Sequence, residues 1–392
     1  MTTNQDSQES QVKNPGSVQN PKSQQLNPVV VAADFGGIGT KAFASYIEKE
    51  HTITLPLFMG SEVAVVNRDS IELLQKENGL SLSEPEHRAW CSVQNSSYKV
   101  IGSLAEKFHG FTLLQPAKYE LAVFKTLALL WVIKEKLNLP THFDIKLGLL
   151  IPPGEYNDRF ELQNLLIEAG KSFDTPSGKM SVNILDFDCK PESGGIILYL
   201  KKNSKYQFEE RNISVVMIGY RNASLICLKR GQIVKKISSQ LGMHYMIQRF
   251  AEFTGKNNPS SELVPIVVNF QHNSESDDSY LCRLINTTFI NNKDYQFSRL
   301  KQGITNSRNE YLQVLKIWLL EHLPLDTDLI VYCGGTAEYL RGDLSNLKST
   351  PNINVCFFDS IKVPLSLDIH SLKERIYDLY CYFKFMIDTF KS

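Results

Sequence analysis

The chain has 392 residues, with 42% apolar and 21% charged residues, so most of it can bury a core in two or three domains of ordinary size. Lys plus Arg number 42 and Asp plus Glu number 42. That zero balance excludes a generally basic nucleic-acid coat protein and an acidic tail protein, and it leaves little self-repulsion against self-association.

In residues 1–28, 14 of 28 positions are Gln, Asn or Ser and none is aromatic, which predicts a disordered tail. Order is expected from Val29. Val29 to Ala33 reads as a buried strand, Gly36-Gly37-Ile38-Gly39 as a turn, and Thr40 to Ile47 as the strand that completes a hairpin. Another strand is expected at Thr52 to Leu57, whereas 61–116 shows no clear period. A helix is expected over 117–137, with Leu121, Phe124, Ala128 and Trp131 on one stripe. Ile145 to Ile151 reads as a buried strand ended by Pro152-Pro153. A helix carrying Leu162, Leu165, Leu166 and Ala169 follows, then strands at 181–188 and 195–201.

After a polar stretch, Lys201 to Asn212, the opening pattern returns. Ile213 to Ile218 and Ala223 to Lys229 read as strands around the turn Gly219-Tyr220-Arg221-Asn222. Helices are expected at 241–254, 295–306 and 308–323, and Gln271 to Tyr280 reads as a polar surface loop. Leu329 to Cys333 reads as a strand running into Gly334-Gly335. A last helix is expected at about 371–390. The whole is a duplicated α/β layout with a cleft between its halves, a favoured place for a ligand.

Seven cysteines, at 91, 189, 227, 282, 333, 356 and 381, form no C-x-x-C pair. A reducing cytoplasm is the expected location, with neither a disulfide framework nor a zinc site. No basic-then-apolar leader is present. The most apolar stretch, Leu121 to Ile133, is too short for a membrane span and contains Lys125.

Four segments carry chemistry. In Asp34-Phe35-Gly36-Gly37-Ile38-Gly39-Thr40-Lys41, the glycines let backbone N–H groups approach phosphate oxygens, Thr40 adds a hydroxyl and Lys41 a charge. Asp34 can hold the water shell of Mg²⁺. The turn Gly219-Tyr220-Arg221-Asn222 repeats the geometry and can clamp the other side of a phosphate chain. Gly334-Gly335-Thr336 offers bare backbone against which a base or ribose can lie. Glu155, in Pro152-Pro153-Gly154-Glu155-Tyr156, places one carboxylate at a strand end. Lys229-Arg230 and Lys235-Lys236 are read as solvated pairs. Ser177-Gly178-Lys179 lacks the spacing of a Walker loop.

In this order and spacing the four segments resemble the actin, Hsp70 and sugar-kinase superfamily, and within it the bacterial and archaeal actin-like ATPases of the ParM type. Glu155 in its Pro-Pro-Gly-Glu-Tyr setting, Ile218-Gly219-Tyr220-Arg221, and the terminal Arg375-Ile376-Tyr377-Asp378-Leu379-Tyr380 carry the likeness. It implies an actin-like, ribonuclease H-like duplicated fold with a nucleotide cleft. Domain I would span 29–208, with the helix 375–392 packing back on it, and domain II 209–374. The phosphates of ATP or GTP would lie between Gly36, Gly37, Ile38, Gly39, Thr40, Lys41 and Gly219, Tyr220, Arg221, Asn222. The adenosine would lie at Gly334, Gly335 and Thr336, with Mg²⁺ near Asp34 through water and Glu155 positioning the attacking water.

The resemblance also implies cytoplasmic filaments of the chain itself. Plasmid DNA would be reached only indirectly, through a small DNA-binding adaptor of the ParR type. One departure matters. The family's second phosphate motif normally opens with Asp, and here Met217 stands there, with Asn222-Ala223-Ser224 in place of Thr-Thr-Asp. Methionine offers no oxygen to a hydrated metal, so slow hydrolysis is expected. A filament serving cell shape, a small-molecule phosphotransferase and a non-hydrolysing nucleotide-bound scaffold are the alternative readings.

Overall fold

The computed structural model describes residues 27–48, 51–78, 83–94, 97–110, 118–255, 263–272, 279–285, 292–347, 353–358 and 361–391. The expected tail lies outside them, save for Asn27 and Pro28. In chain order the first half contributes β1 (Val29–Phe35), β2 (Gly39–Glu48), β3 (His51–Gly60), β4 (Val63–Val66), β5 (Trp90–Val93), β6 (Tyr98–Ile101), β7 (His142–Ile151), β8 (Phe173–Thr175) and β9 (Gly178–Pro191). The second half contributes β10 (Asn212–Ile218), β11 (Ala223–Lys229), β12 (Gln232–Ser239), β13 (Leu329–Cys333) and β14 (Asn354–Phe357).

The first sheet runs β3-β2-β1-β7-β9 and continues through β8-β5-β6-β4; the second runs β12-β11-β10-β13-β14. The five-strand cores match strand for strand. Each opens with an antiparallel meander of three strands, and its first strand then pairs in parallel with a later one, which pairs in parallel with another. The central strands β1 and β13 are almost wholly buried, which explains their unbroken apolar runs, because helices cover both faces of a parallel strand. The edge strand β12 is largely exposed.

Trp131, on the helix Lys118–Lys136, is fully buried in the same core as Val31, Leu147 and Leu149. Phe250 and Tyr311 fill the second core against Val216 and Leu225. The chain passes from one sheet to the other through 192–211, and the segment 361–376 leads into the helix that returns to the first. The returning helix, Tyr377–Lys391, packs on β1 and β2 and on the crossover helix Gly194–Lys202. There the helices are so close that a Cβ on Gly195 would collide with the carbonyl of Asp378.

Several elements differ from expectation. Residues 195–201 are not a strand but part of the helix Gly194–Lys202. Its short apolar run, Ile196, Ile197 and Leu200, suits either period, and the Asp378 carboxylate, 182 and 185 residues away, accepts from the N–H groups of Ile196 and Ser193. The two helices expected at 295–306 and 308–323 are one, Lys293–His322. Ser307, between them, is buried and its hydroxyl bonds back to Ile304. The last helix begins at Tyr377, after a 3-10 turn at Lys373–Arg375. The region 61–116 contains β4, β5, β6 and the helix Arg68–Asn78. In the expected loop 271–280, Gln271 and His272 end the helix Leu263–His272, Ser279 begins Ser279–Cys282, and 273–278 lie outside the described residues. No disulfide is formed among the described residues, and none of their helices is long and apolar enough to cross a membrane.

Candidate functional site

Each sheet ends its first two strands in a loop of the same length. Phe35 pairs with Thr40 around residues 36–39, and Ile218 pairs with Ala223 around residues 219–222. The two tips meet. A Cβ on Gly37 would stand 2.8 Å from Cδ1 of Tyr220 and 3.6 Å from Cβ of Arg221. Ile38 packs against the apolar core of the second half.

The first hairpin is held from within its own half. The Ser61 hydroxyl donates to the Gly37 carbonyl at 2.8 Å. At its base Lys41 pairs with Asp34 at 2.5 Å and donates to the Arg375 carbonyl at 2.9 Å. Gly36 and Gly39 leave room for Lys41 and for the ring of Phe58. The Thr40 hydroxyl is buried and has no hydrogen-bond partner among the described residues.

The second hairpin leans on the helix Met243–Thr254. The carbonyls of Gly219, Tyr220 and Arg221 accept from the N–H groups of Met243, His244 and Gly242, and the Asn222 carbonyl accepts from Gly219. Burial, with the Glu62 charge nearby, pushes the Tyr220 hydroxyl up to about 12. That hydroxyl lies 3.3 Å from Nδ1 of His244, whose own pKa burial lowers.

Gly334 takes φ +94°, a left-handed conformation that glycine adopts without strain. It abuts Ile218, and the Thr336 hydroxyl donates to the Gly219 carbonyl at 2.9 Å. A Cβ on Gly335 would meet Cγ of Arg375 at 2.8 Å. Glu155 reaches the same place from the end of β7, pairing with Arg221 at 3.5 Å. The predicted residues, bridged by the unpredicted Arg375, join in one constellation that runs from Asp34 and Lys41 to the diglycine, on to the second hairpin, and back to Gly37.

Met217 sits among its neighbours in an apolar setting. It pairs in register with Ser224 and Cys333 and packs on the cluster containing Cys333 and Cys381. Close by, Asp378 is buried at the start of the returning helix. Burial raises its carboxyl to about 7 against two backbone hydrogen bonds, and Asp34 and Glu192 add to the rise. Sequence reasoning assigned no site role to Ser61, Arg375 or Asp378. Nothing around Ser61 marks it, and Arg375 and Asp378 stand out only as members of the terminal motif, which reaches the cleft from up to 334 residues away. A groove of about 450 Å³, lined by Tyr199, Lys202, Tyr380 and Phe385, is separate from these residues.

The chain matches no protein-family model and no curated protein. Solved structures do resemble it. Actin-like protein Alp7A shares 15% identity over 90% of this chain and 94% of its own, with a TM-score of 0.60. A ParM from a 15-stranded filament of Clostridium botulinum shares 12% over 92% and 99%, at 0.59. The archaeal actin homologue Ta0583 shares 14% over 92% and 99%, at 0.54. With two five-strand cores of the same topology, the chain has the actin-like duplicated α/β fold.

Proposed function

We propose that the chain binds a nucleoside triphosphate, ATP or GTP, between its two hairpins and assembles with itself into filaments under nucleotide control. The observation that carries this reading is the meeting of Gly37 with Tyr220 and Arg221, which puts two glycine turns on one cleft. Two solved neighbours lend support: one is itself a filament, and Ta0583 has been seen in complex with ADP.

The residues fit a divalent ion held through water. Asp34 brings the one carboxylate of the segments 34–41 and 217–224, and no group of three or more His, Cys, Asp or Glu side chains gathers to cage a metal among the described residues. Bound there, Mg²⁺ would neutralise phosphate oxygens. Glu155 would orient a water toward the terminal phosphate, while Arg221 holds its carboxylate in place.

Hydrolysis is slow on this reading, since Met217 leaves the second hairpin without a carboxylate at its base. A loss of one water-orienting group typically costs about 10²–10⁴ in rate. Open helical polymers follow when head-to-tail contacts do not close, and cleft closure alters the fit of the next subunit. Segregation of plasmid DNA through an adaptor is the role the likeness suggests; the neutral charge suits indirect DNA contact. A persistent filament serving cell shape is the second reading, favoured by Met217.

Electron microscopy with and without ATP or GTP, beside a phosphate-release assay, tests the proposal. Nucleotide-dependent filaments with slow release are expected. Turnover that needs a sugar or small acid, in protein too dilute to polymerise, would establish a phosphotransferase instead.

A further inference from the structure

The pair Lys235-Lys236 reads from sequence as solvated charge. The structure separates its members. Lys235 donates to the carbonyl of His322, within its own half. Lys236 crosses the cleft, its ammonium 4.3 Å from the ring centroid of Tyr156. Two residues on, Ser238 also crosses: its hydroxyl oxygen accepts from the N–H of Gly154 at 3.3 Å. Ser238 is itself steadied by Ser224, its register partner on β11, at 3.1 Å between hydroxyls.

Gly154 and Tyr156 are the two neighbours of Glu155. The loop bearing that carboxylate is therefore pinned on both sides by one strand, β12, of the other half, while Arg221 meets the carboxylate itself. Within its own half, the Tyr156 ring carries Arg159, 4.4 Å from its centroid, and the Tyr156 carbonyl accepts from the same guanidinium. Arg159 thus fixes the ring from its own half, and the Lys236 ammonium meets that fixed ring from across the cleft.

We propose that Lys236 and Ser238 are positioning residues. By docking the Gly154–Tyr156 loop onto β12 they set the angle of Glu155 and tie that angle to the relative position of the two halves. The role of Glu155 rests on the proposed function; the docking stands on geometry alone. Positional errors near 1 Å cost about 10²-fold in well-oriented reactions, so a loop released on both sides loses turnover without losing ligand.

The experiment uses the full chain in four forms: wild type, Ser238→Ala, Lys236→Met and Lys236→Arg, with the Ser238→Ala/Lys236→Met double variant beside them. Hydrogen exchange of segment 152–158 is measured without nucleotide, then ATP affinity and kcat for phosphate release. Faster exchange in the Ala and Met variants is expected. A fall in kcat of about tenfold or more in the double variant should accompany it, with affinity within twofold of wild type. Lys236→Arg should stay near wild type in both readouts, because arginine keeps the cation on the ring. Unchanged exchange in the double variant would overturn the docking. Faster exchange with unchanged kcat would overturn the positioning role. A wild-type chain that releases no phosphate would sink the hydrolytic part of the proposed function and the positioning role together, and the exchange data would still decide the docking.

Discussion

Gly37 lies so close beneath the ring of Tyr220 that the smallest side chain would reach to 2.8 Å of it. The hairpin of one half is thus shaped to the tip of the other. Gly37→Ala should force the tips apart, and overpacking of this kind costs about 1–3 kcal/mol. Nucleotide affinity should fall by roughly tenfold, since about 1.4 kcal/mol is a factor of ten. In the Gly37→Ala/Tyr220→Ala variant the clash is gone, so calorimetric titration should recover part of the loss. Equal affinity in Gly37→Ala and wild type would separate the tip contact from ligand binding.

Glu155 and Arg221 hold each other across the cleft at 3.5 Å, both largely shielded from water. Glu155→Gln keeps size and polarity but removes the charge that would align a water. Phosphate release should slow by about 10²–10⁴, with ATP affinity within a few-fold. Single-turnover release beside equilibrium titration checks this. Turnover equal to wild type would take Glu155 out of the chemistry.

Met217 faces an apolar cluster rather than open water, and Asp34, Asp378 and Glu192 already place three acids near that end of the cleft. Met217→Asp should therefore do two opposed things. It supplies the carboxylate missing from the second hairpin, so phosphate release should rise and filaments should shorten in lifetime. It also adds a partly buried charge among acids, so the melting temperature should drop. A stable variant with unaltered release would mean another group does the work of the missing acid.

What could be read in the sequence follows from where each signal is stored. The strand–turn–strand units are local: apolar runs, glycine tips and a carboxylate lie within ten residues, so both hairpins and the diglycine were legible. So was the return of the last helix in kind, though its start moved to Tyr377. The segment 195–201 was misread because the helix Gly194–Lys202 is capped by Asp378, almost two hundred residues later. The continuity of Lys293–His322 was hidden at Ser307, a polar residue that is buried and whose hydroxyl bonds back to Ile304. Lys236 and Ser238 had no visible purpose, since Tyr156 and Gly154 come within their reach only when the halves come together, and Arg375 had none because Lys41, which it meets, lies 334 residues away.

Asp378 gives a pH test of the joint between the halves. Its carboxyl is raised from an ordinary 3.8 to about 7, chiefly by burial, with Asp34 and Glu192 adding to the rise. Between those values the folded chain holds a proton that the unfolded chain has lost. Stability from this group is therefore complete below about pH 4 and is lost as pH rises through about 7. Asp378→Asn cannot titrate, yet its amide oxygen can still accept from Ser193 or Ile196. The difference in unfolding free energy, variant minus wild type, should thus grow more favourable to the variant from pH 4 to pH 7 and then level off. Urea melts of both proteins across that range supply the curve. A flat difference would mean that the carboxyl ionises as easily in the folded chain as in water, and that burial between the two crossing helices does not govern it.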